Sequence, residues 1–124
     1  MKLNTIPEVL DDLKKGKIVI IIDDASRENE GDLIMAASKV TDATINFMAK
    51  SGRGLICTPM EKIDSERLHL QPMSNEMKDP YRTAWTVSVD AKDGVTTGIS
   101  ASDRARTIKL LSDKASSSND FIKP

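Results

Sequence analysis

Residues 23–32 of the 124-residue chain, DDASRENEGD, hold five carboxylates and one arginine between two apolar runs, residues 18–22 and 33–37. A connection between strand candidates can be short and bland, so one this dense in acids points to binding a cation or handling protons. Glu28, Glu30 and Asp32 alternate, and in an extended chain alternate side chains share a face. Neighbouring carboxylates would then stand roughly 7 Å apart. Each pair would repel by about 0.6 kcal/mol in bulk water and about 2.4 kcal/mol at an effective dielectric near 20. A solvated hairpin loop tolerates that; in a cleft the cluster needs Arg27, a bound metal or a retained proton. Spacing alone leaves both readings open. An all-oxygen donor set would suit Mg²⁺ or Mn²⁺ rather than zinc, which prefers histidine and cysteine.

Other chemistry-bearing residues carry weaker signals. Thr96, Thr97 and Gly98 precede a helix, whose N-terminus can receive an anion through free N–H groups. They lack the spacing and ending of a P-loop, and hydroxyls with glycine more often build a β-turn. Arg104 and Arg106 can assist an anion but more often sit solvated on a helix. Cys57, in an apolar strand candidate with no base nearby, reads as a small hydrophobe rather than a nucleophile. His69 has no metal or triad partner in the surrounding sequence and defaults to a surface residue.

The elements that must position these residues follow from periodicity and punctuation. Thr5 and Glu8 form a capping box around Pro7, and Val9, Leu10 and Leu13 recur at helical spacing until Gly16, which predicts a helix over residues 6–15. Residues 17–22 carry five consecutive large aliphatic side chains and predict a buried strand, followed by a second over 33–37. Thr41 and Asp42 start a helix that places Ile45, Met48 and Ala49 on one face and stops at Gly52. A strand over 54–58 ends at Pro59, and a short helix covers 64–70. Residues 71–82 read as a surface loop, and 83–90 as a strand alternating Trp85, Val87 and Val89 against smaller residues. Asp93 and Gly94 make a turn, residues 94–100 are a glycine- and hydroxyl-rich segment, and Ser100 with Asp103 is spaced as the capping box of a last helix carrying Ala101, Ala105, Ile108 and Leu111. The expected class is α+β, a mixed β-sheet covered by helices.

Composition narrows the partner. The chain has 18 basic and 19 acidic residues, a formal net charge of −1, and only four aromatics among Phe, Trp and Tyr, so it offers neither a basic footprint nor stacking platforms for nucleic acid. A small molecule is the better fit. The longest purely apolar run is five residues, too short to span a membrane, and the N-terminal segment has no signal-peptide pattern. A lone cysteine agrees with a reducing cytosol, and the length suits one domain over 1–124.

Three blocks are more specific than composition: DDASRENEGDLI, SGRGLICTPM at residues 51–60, and TAWTVSVDAKDGVTTGISASDRARTIKLL at 83–111. In this order they resemble the 3,4-dihydroxy-2-butanone 4-phosphate synthases, riboflavin-pathway lyases that convert ribulose 5-phosphate to a four-carbon phosphate and formate. The resemblance implies a three-layer α-β-α fold, a cytoplasmic homodimer, and Mg²⁺ or Mn²⁺ as cofactor. It implies Glu28 as metal ligand, Arg27 and Asp32 as substrate contacts, and Asp23 and Glu30 as candidates for acid/base or supporting work. Cys57, Thr96 and Thr97 would line the substrate pocket. Ala25 stands where the family commonly has a third acid, and Trp85 where phenylalanine is usual. Family members continue beyond DFIKP into a glycine-histidine segment and an RxGHTE-like block that supplies the second metal ligand and further substrate contacts. Against that pattern the chain is expected to lack part of the site, and a non-catalytic sugar-phosphate and metal-binding module, or an assembly partner of the same fold, is the alternative to a lyase.

Overall fold

The computed structural model describes residues 3–76, 80–81 and 83–124. Helix α1, Ile6–Lys14, starts as its cap requires: the Glu8 carboxylate accepts the Thr5 N–H at 2.7 Å and the Thr5 hydroxyl at 3.0 Å. Gly16, at φ 77, turns the chain out of the helix. Strand β1, Val19–Ile22, then pairs antiparallel with β2, Gly31–Ile34, with Val19 opposite Ile34 and Ile22 opposite Gly31. This register makes residues 23–30 the hairpin connection. Helix α2, Asp42–Phe47, is capped by the Thr41 hydroxyl, which accepts the Thr44 N–H at 3.2 Å. It runs into one π turn, Met48–Gly52, and ends at Arg53 in the left-handed region, φ 63. The π turn lies against β2, so close that a Cβ on Gly52 would stand 3.1 Å from Leu33 Cδ1.

Helix α3, Lys62–Arg67, strand β3, Asp90–Ala91, helix α4, Ala101–Ser112, and strand β4, Phe121–Ile122, complete the order, with β3 and β4 antiparallel. Two apolar clusters hold these pieces. Val40, Ile45, Ala105 and Ile108 form one, with Met35, Met48, Ile56 and Ala101 packed against it. Leu68, Leu70 and Phe121 form the other, with Met60, Val89, Leu110 and Leu111 around it. Helix α4 serves both.

The class is mixed α and β, as expected, and within it the described residues form two small two-stranded antiparallel sheets. Several finer expectations are corrected. Strand β1, expected to be buried, leaves Ile20 69 % exposed and Ile21 and Ile22 nearly half exposed, because among the described residues α1 and the π turn meet the β1–β2 sheet only in part. Strand β2 starts at Gly31 and ends at Ile34 rather than running over 33–37, and a 3-10 turn, Ala37–Lys39, follows. Among the described residues, 54–58 have the composition of a strand but no ladder partner, and 83–89 are reduced to one bridge, Thr86 to Pro72, ahead of β3. The expected loop over 71–82 falls partly outside the described residues. Strand β4 has no sequence signal of its own; its two residues are strand because β3 is beside them.

Candidate functional site in the β1–β2 connection

The acidic connection is built around Asp23. Its Oδ1 accepts the Glu30 N–H at 2.7 Å, and its Oδ2 accepts the Glu28 N–H at 2.9 Å and faces Arg27 Nη1 at 3.4 Å. The N–H groups of Glu28 and Glu30, with Arg27 assisting, hold the Asp23 carboxyl below the usual carboxylate range. Asp24 makes a smaller turn, accepting the Ser26 N–H at 2.8 Å and the Ser26 hydroxyl at 2.6 Å. The backbone then passes through a left-handed residue, Asn29 at φ 54. That kink corrects the expected alternation, since Glu28 lies in the turn and not in an extended run with Glu30 and Asp32.

Two kinds of carboxylate result. Asp23 spends its oxygens on the loop's own N–H groups. Glu28 accepts no hydrogen bond among the described residues, and its Oε1 lies 3.6 Å from Arg27 Nη2, beyond hydrogen-bond length. Glu30 and Asp32 are exposed. Among the described residues no three of His, Cys, Asp and Glu converge as a cage. A hard cation that takes one or two carboxylates and fills its shell with water and ligand oxygens fits this set; zinc does not. No helix among the described residues is long and apolar enough to cross a membrane.

Asp32 is the link to the second block. Partial desolvation, and next the negative charge of Asp32, push the Cys57 thiol up, so this exposed cysteine is kept as a neutral thiol beside the carboxylate. Thr96 and Thr97 lie on the loop before α4. The Thr96 hydroxyl donates to Asp103 Oδ2 at 2.8 Å, whereas Thr97 is exposed and its hydroxyl makes no hydrogen bond among the described residues. No hydrogen bond or ion pair among the described residues joins this loop to the acidic connection. What they share is a core: Met35 just past β2, Ile56 beside Cys57, and Ala101 at the start of α4 all pack on the Val40 and Ile45 cluster.

His69 stays apart, exposed at the end of α3, where Lys123 Nζ donates to the Leu68 carbonyl at 2.9 Å and to that of His69 at 3.3 Å. One surface groove lies between α1 and residues 36–39 and another between residues 16–18 and α2, and no acid lines either. Sequence reading missed Asp103, which it treated only as a helix cap. The available signal was an acid four residues before another hydroxyl, Thr107, on an otherwise buried helix face.

The sequence model of the 3,4-dihydroxy-2-butanone 4-phosphate synthases matches residues 7–124. The chain is 53 % identical to the riboflavin biosynthesis protein RibBA of Aquifex aeolicus, over 99 % of this chain and 31 % of that one. It is 50 % identical to the 3,4-dihydroxy-2-butanone 4-phosphate synthase of Pseudomonas aeruginosa, over 100 % of this chain and 34 % of that protein. A crystal structure of a 3,4-dihydroxy-2-butanone 4-phosphate synthase in complex with two magnesium ions superposes with a TM-score of 0.94 at 42 % identity, covering 98 % of this chain and 57 % of the other. The chain thus spans about a third of the length of these curated relatives.

Proposed function

Because the chain belongs to the 3,4-dihydroxy-2-butanone 4-phosphate synthase family, we propose that it serves the family's lyase reaction, in which D-ribulose 5-phosphate gives 3,4-dihydroxy-2-butanone 4-phosphate and formate. The observation that carries this reading is the division of labour in residues 23–32: Asp23 holds the loop, and the Glu28 oxygens are left for a ligand. Glu28 is assigned as the ligand of Mg²⁺ or Mn²⁺, in line with the two magnesium ions of the solved relative. When bound, the cation supplies charge stabilisation for an enediol formed by proton loss next to the substrate carbonyl.

The remaining roles belong to this chain's own groups. Glu30, exposed and two residues from the ligand, is assigned to proton transfer. Asp23, held as a carboxylate by N–H donors, is assigned to positioning Glu28 and Glu30 rather than to donating a proton. Arg27 and Asp32 contact the sugar phosphate, Cys57 lines its pocket beside Asp32, and Thr97, with Thr96 behind it, contacts it from the loop before α4. We further infer that the two small sheets belong to a larger mixed sheet between helical layers, in a single domain that works as a cytoplasmic homodimer. The exposed β1 supports such a sheet.

The exposure of Glu28, Glu30 and Asp32 favours a second reading, a module that binds sugar phosphate and metal without turning it over, since the reaction needs its intermediate kept from water. Calorimetry of the purified chain with ribulose 5-phosphate, paired with a formate assay, tests both. Binding that requires Mg²⁺ and is lost in Glu28→Gln is expected, and formate release assigns the lyase. Binding without formate assigns the module. Binding indifferent to Mg²⁺ and to Glu28→Gln overturns the site.

A further inference from the structure

Asp103 lies in the first turn of α4 and is only 4 % exposed. Ser100 accepts the Asp103 N–H at 3.0 Å, as a cap should, but no capping box is completed by a bond from the Ser100 N–H to the Asp103 carboxylate. It reaches past the cap into the preceding loop. Oδ1 accepts the Thr96 N–H at 3.2 Å; Oδ2 accepts the Thr96 hydroxyl at 2.8 Å and the Gly98 N–H at 3.1 Å. Gly98 is at φ 81, and a Cβ there would collide with the Asp90 carboxylate, so the loop is also packed from the strand side. One turn along α4, the Thr107 hydroxyl accepts the Ala91 N–H at 2.9 Å and donates to the Asp103 carbonyl at 3.0 Å. Residues on both sides of Thr97 are therefore fixed to one buried carboxylate, while Thr97 itself is exposed.

We propose that Asp103 is a positioning residue that holds the loop at residues 96–98 in its ligand-ready shape, so that Thr97 meets the sugar phosphate without first being ordered. This rests on the reading of Thr97 as a ribulose 5-phosphate contact. A loop ordered in advance loses less freedom on binding, and the carboxylate gains nothing from touching the ligand itself.

The test is a double-mutant cycle on the 124-residue chain, with Asp103→Asn, Thr97→Ala and the pair titrated with ribulose 5-phosphate in Mg²⁺. Each single change is expected to weaken binding by about tenfold, the worth of one hydrogen bond, and the pair no more than the weaker single variant. Affinity for Mg²⁺ alone should be unchanged, which a general loss of structure would not allow. If Asp103→Asn does not fold, Thr96→Val, which removes only the hydroxyl arm, replaces it in the cycle with the same expectation. Additive losses, or a folded variant with full sugar-phosphate affinity, overturn the inference alone. A wild-type chain that binds no ribulose 5-phosphate overturns the functional reading and this inference with it.

Discussion

Arg27 and Glu28 are adjacent, yet the roles assigned to them separate cleanly. Arg27→Ala should weaken ribulose 5-phosphate binding and leave Mg²⁺ affinity nearly unchanged, whereas Glu28→Gln should weaken Mg²⁺ binding and with it the Mg²⁺-dependent binding of the sugar phosphate and, wherever turnover is present, lower it by about 10²- to 10³-fold. Calorimetric titration with each ligand separately checks this; an Arg27→Ala chain that lost Mg²⁺ and kept the sugar phosphate would exchange the two roles. Titration of the acids gives a second test. Asp23 is held below the ordinary aspartate range by the Glu28 N–H, Asp64 by the bond from Lys114 and then Arg67, and Asp103 by the Thr96 hydroxyl. Their unfolded carboxyls titrate near about 3.9, so below that value the unfolded chain takes up protons first. Their stabilising effect is thus fully present above about pH 5 and lost as pH falls through the lower folded values. Thermal midpoints followed by circular dichroism should be flat from pH 7 to about 5 and fall steeply below about 4; a decline already under way at pH 6 would assign the acid sensitivity to other groups. The acids themselves were legible in the sequence, but their unequal states were not. Asp23 and Glu28 differ through backbone N–H groups that converge only once Asn29 has turned left-handed.

At the scale of elements, the Thr107 hydroxyl is the tie between α4 and β3. Thr107→Val keeps the shape and removes the acceptor, leaving the Ala91 N–H buried without a partner, and should cost about 1–3 kcal/mol by urea denaturation. A change within about 0.5 kcal/mol would mean that this N–H finds another acceptor. What could be read from sequence at this scale was local. Thr5 with Glu8, Thr41 before Asp42, and Ser100 before α4 announce helix starts because the bonds they make close within a few residues. The β1–β2 hairpin also announced itself, through two apolar runs around a polar connection. Strands at 54–58 and 83–90 were expected from the same apolar signal, yet among the described residues only the Thr86 bridge and Asp90 of β3 are paired, because a strand is completed by its neighbour and the rest has none there. Conversely, Phe121 and Ile122 are strand only because Ala91 and Asp90 lie opposite.

The molecule as a whole exposes 9312 Å². A folded monomer of its 13.6 kDa mass is expected to expose roughly 6,600 Å². The excess of roughly 2,700 Å² is the scale of a large protein interface, and Ile20, Ile21, Ile22, Leu55 and Ile99 all contribute to it. Self-association that rises with concentration is therefore expected in sedimentation, and Ile20→Lys with Ile21→Lys should suppress it, since these neighbours point to opposite faces of β1. A monomer at all concentrations would show that these faces are harmless in water. The second apolar cluster adds a matter of timing. Leu68 and Leu70 wait for Phe121, Arg67 for the Ser116 carbonyl, and the Leu68 carbonyl for Lys123. On a ribosome adding about 5–20 residues per second, some 100 residues separate the β1 isoleucines from Phe121, so bare apolar strand precedes the closing cluster by roughly 5–20 s. For that interval the nascent chain presents its stickiest segment before the residues that anchor α3 exist.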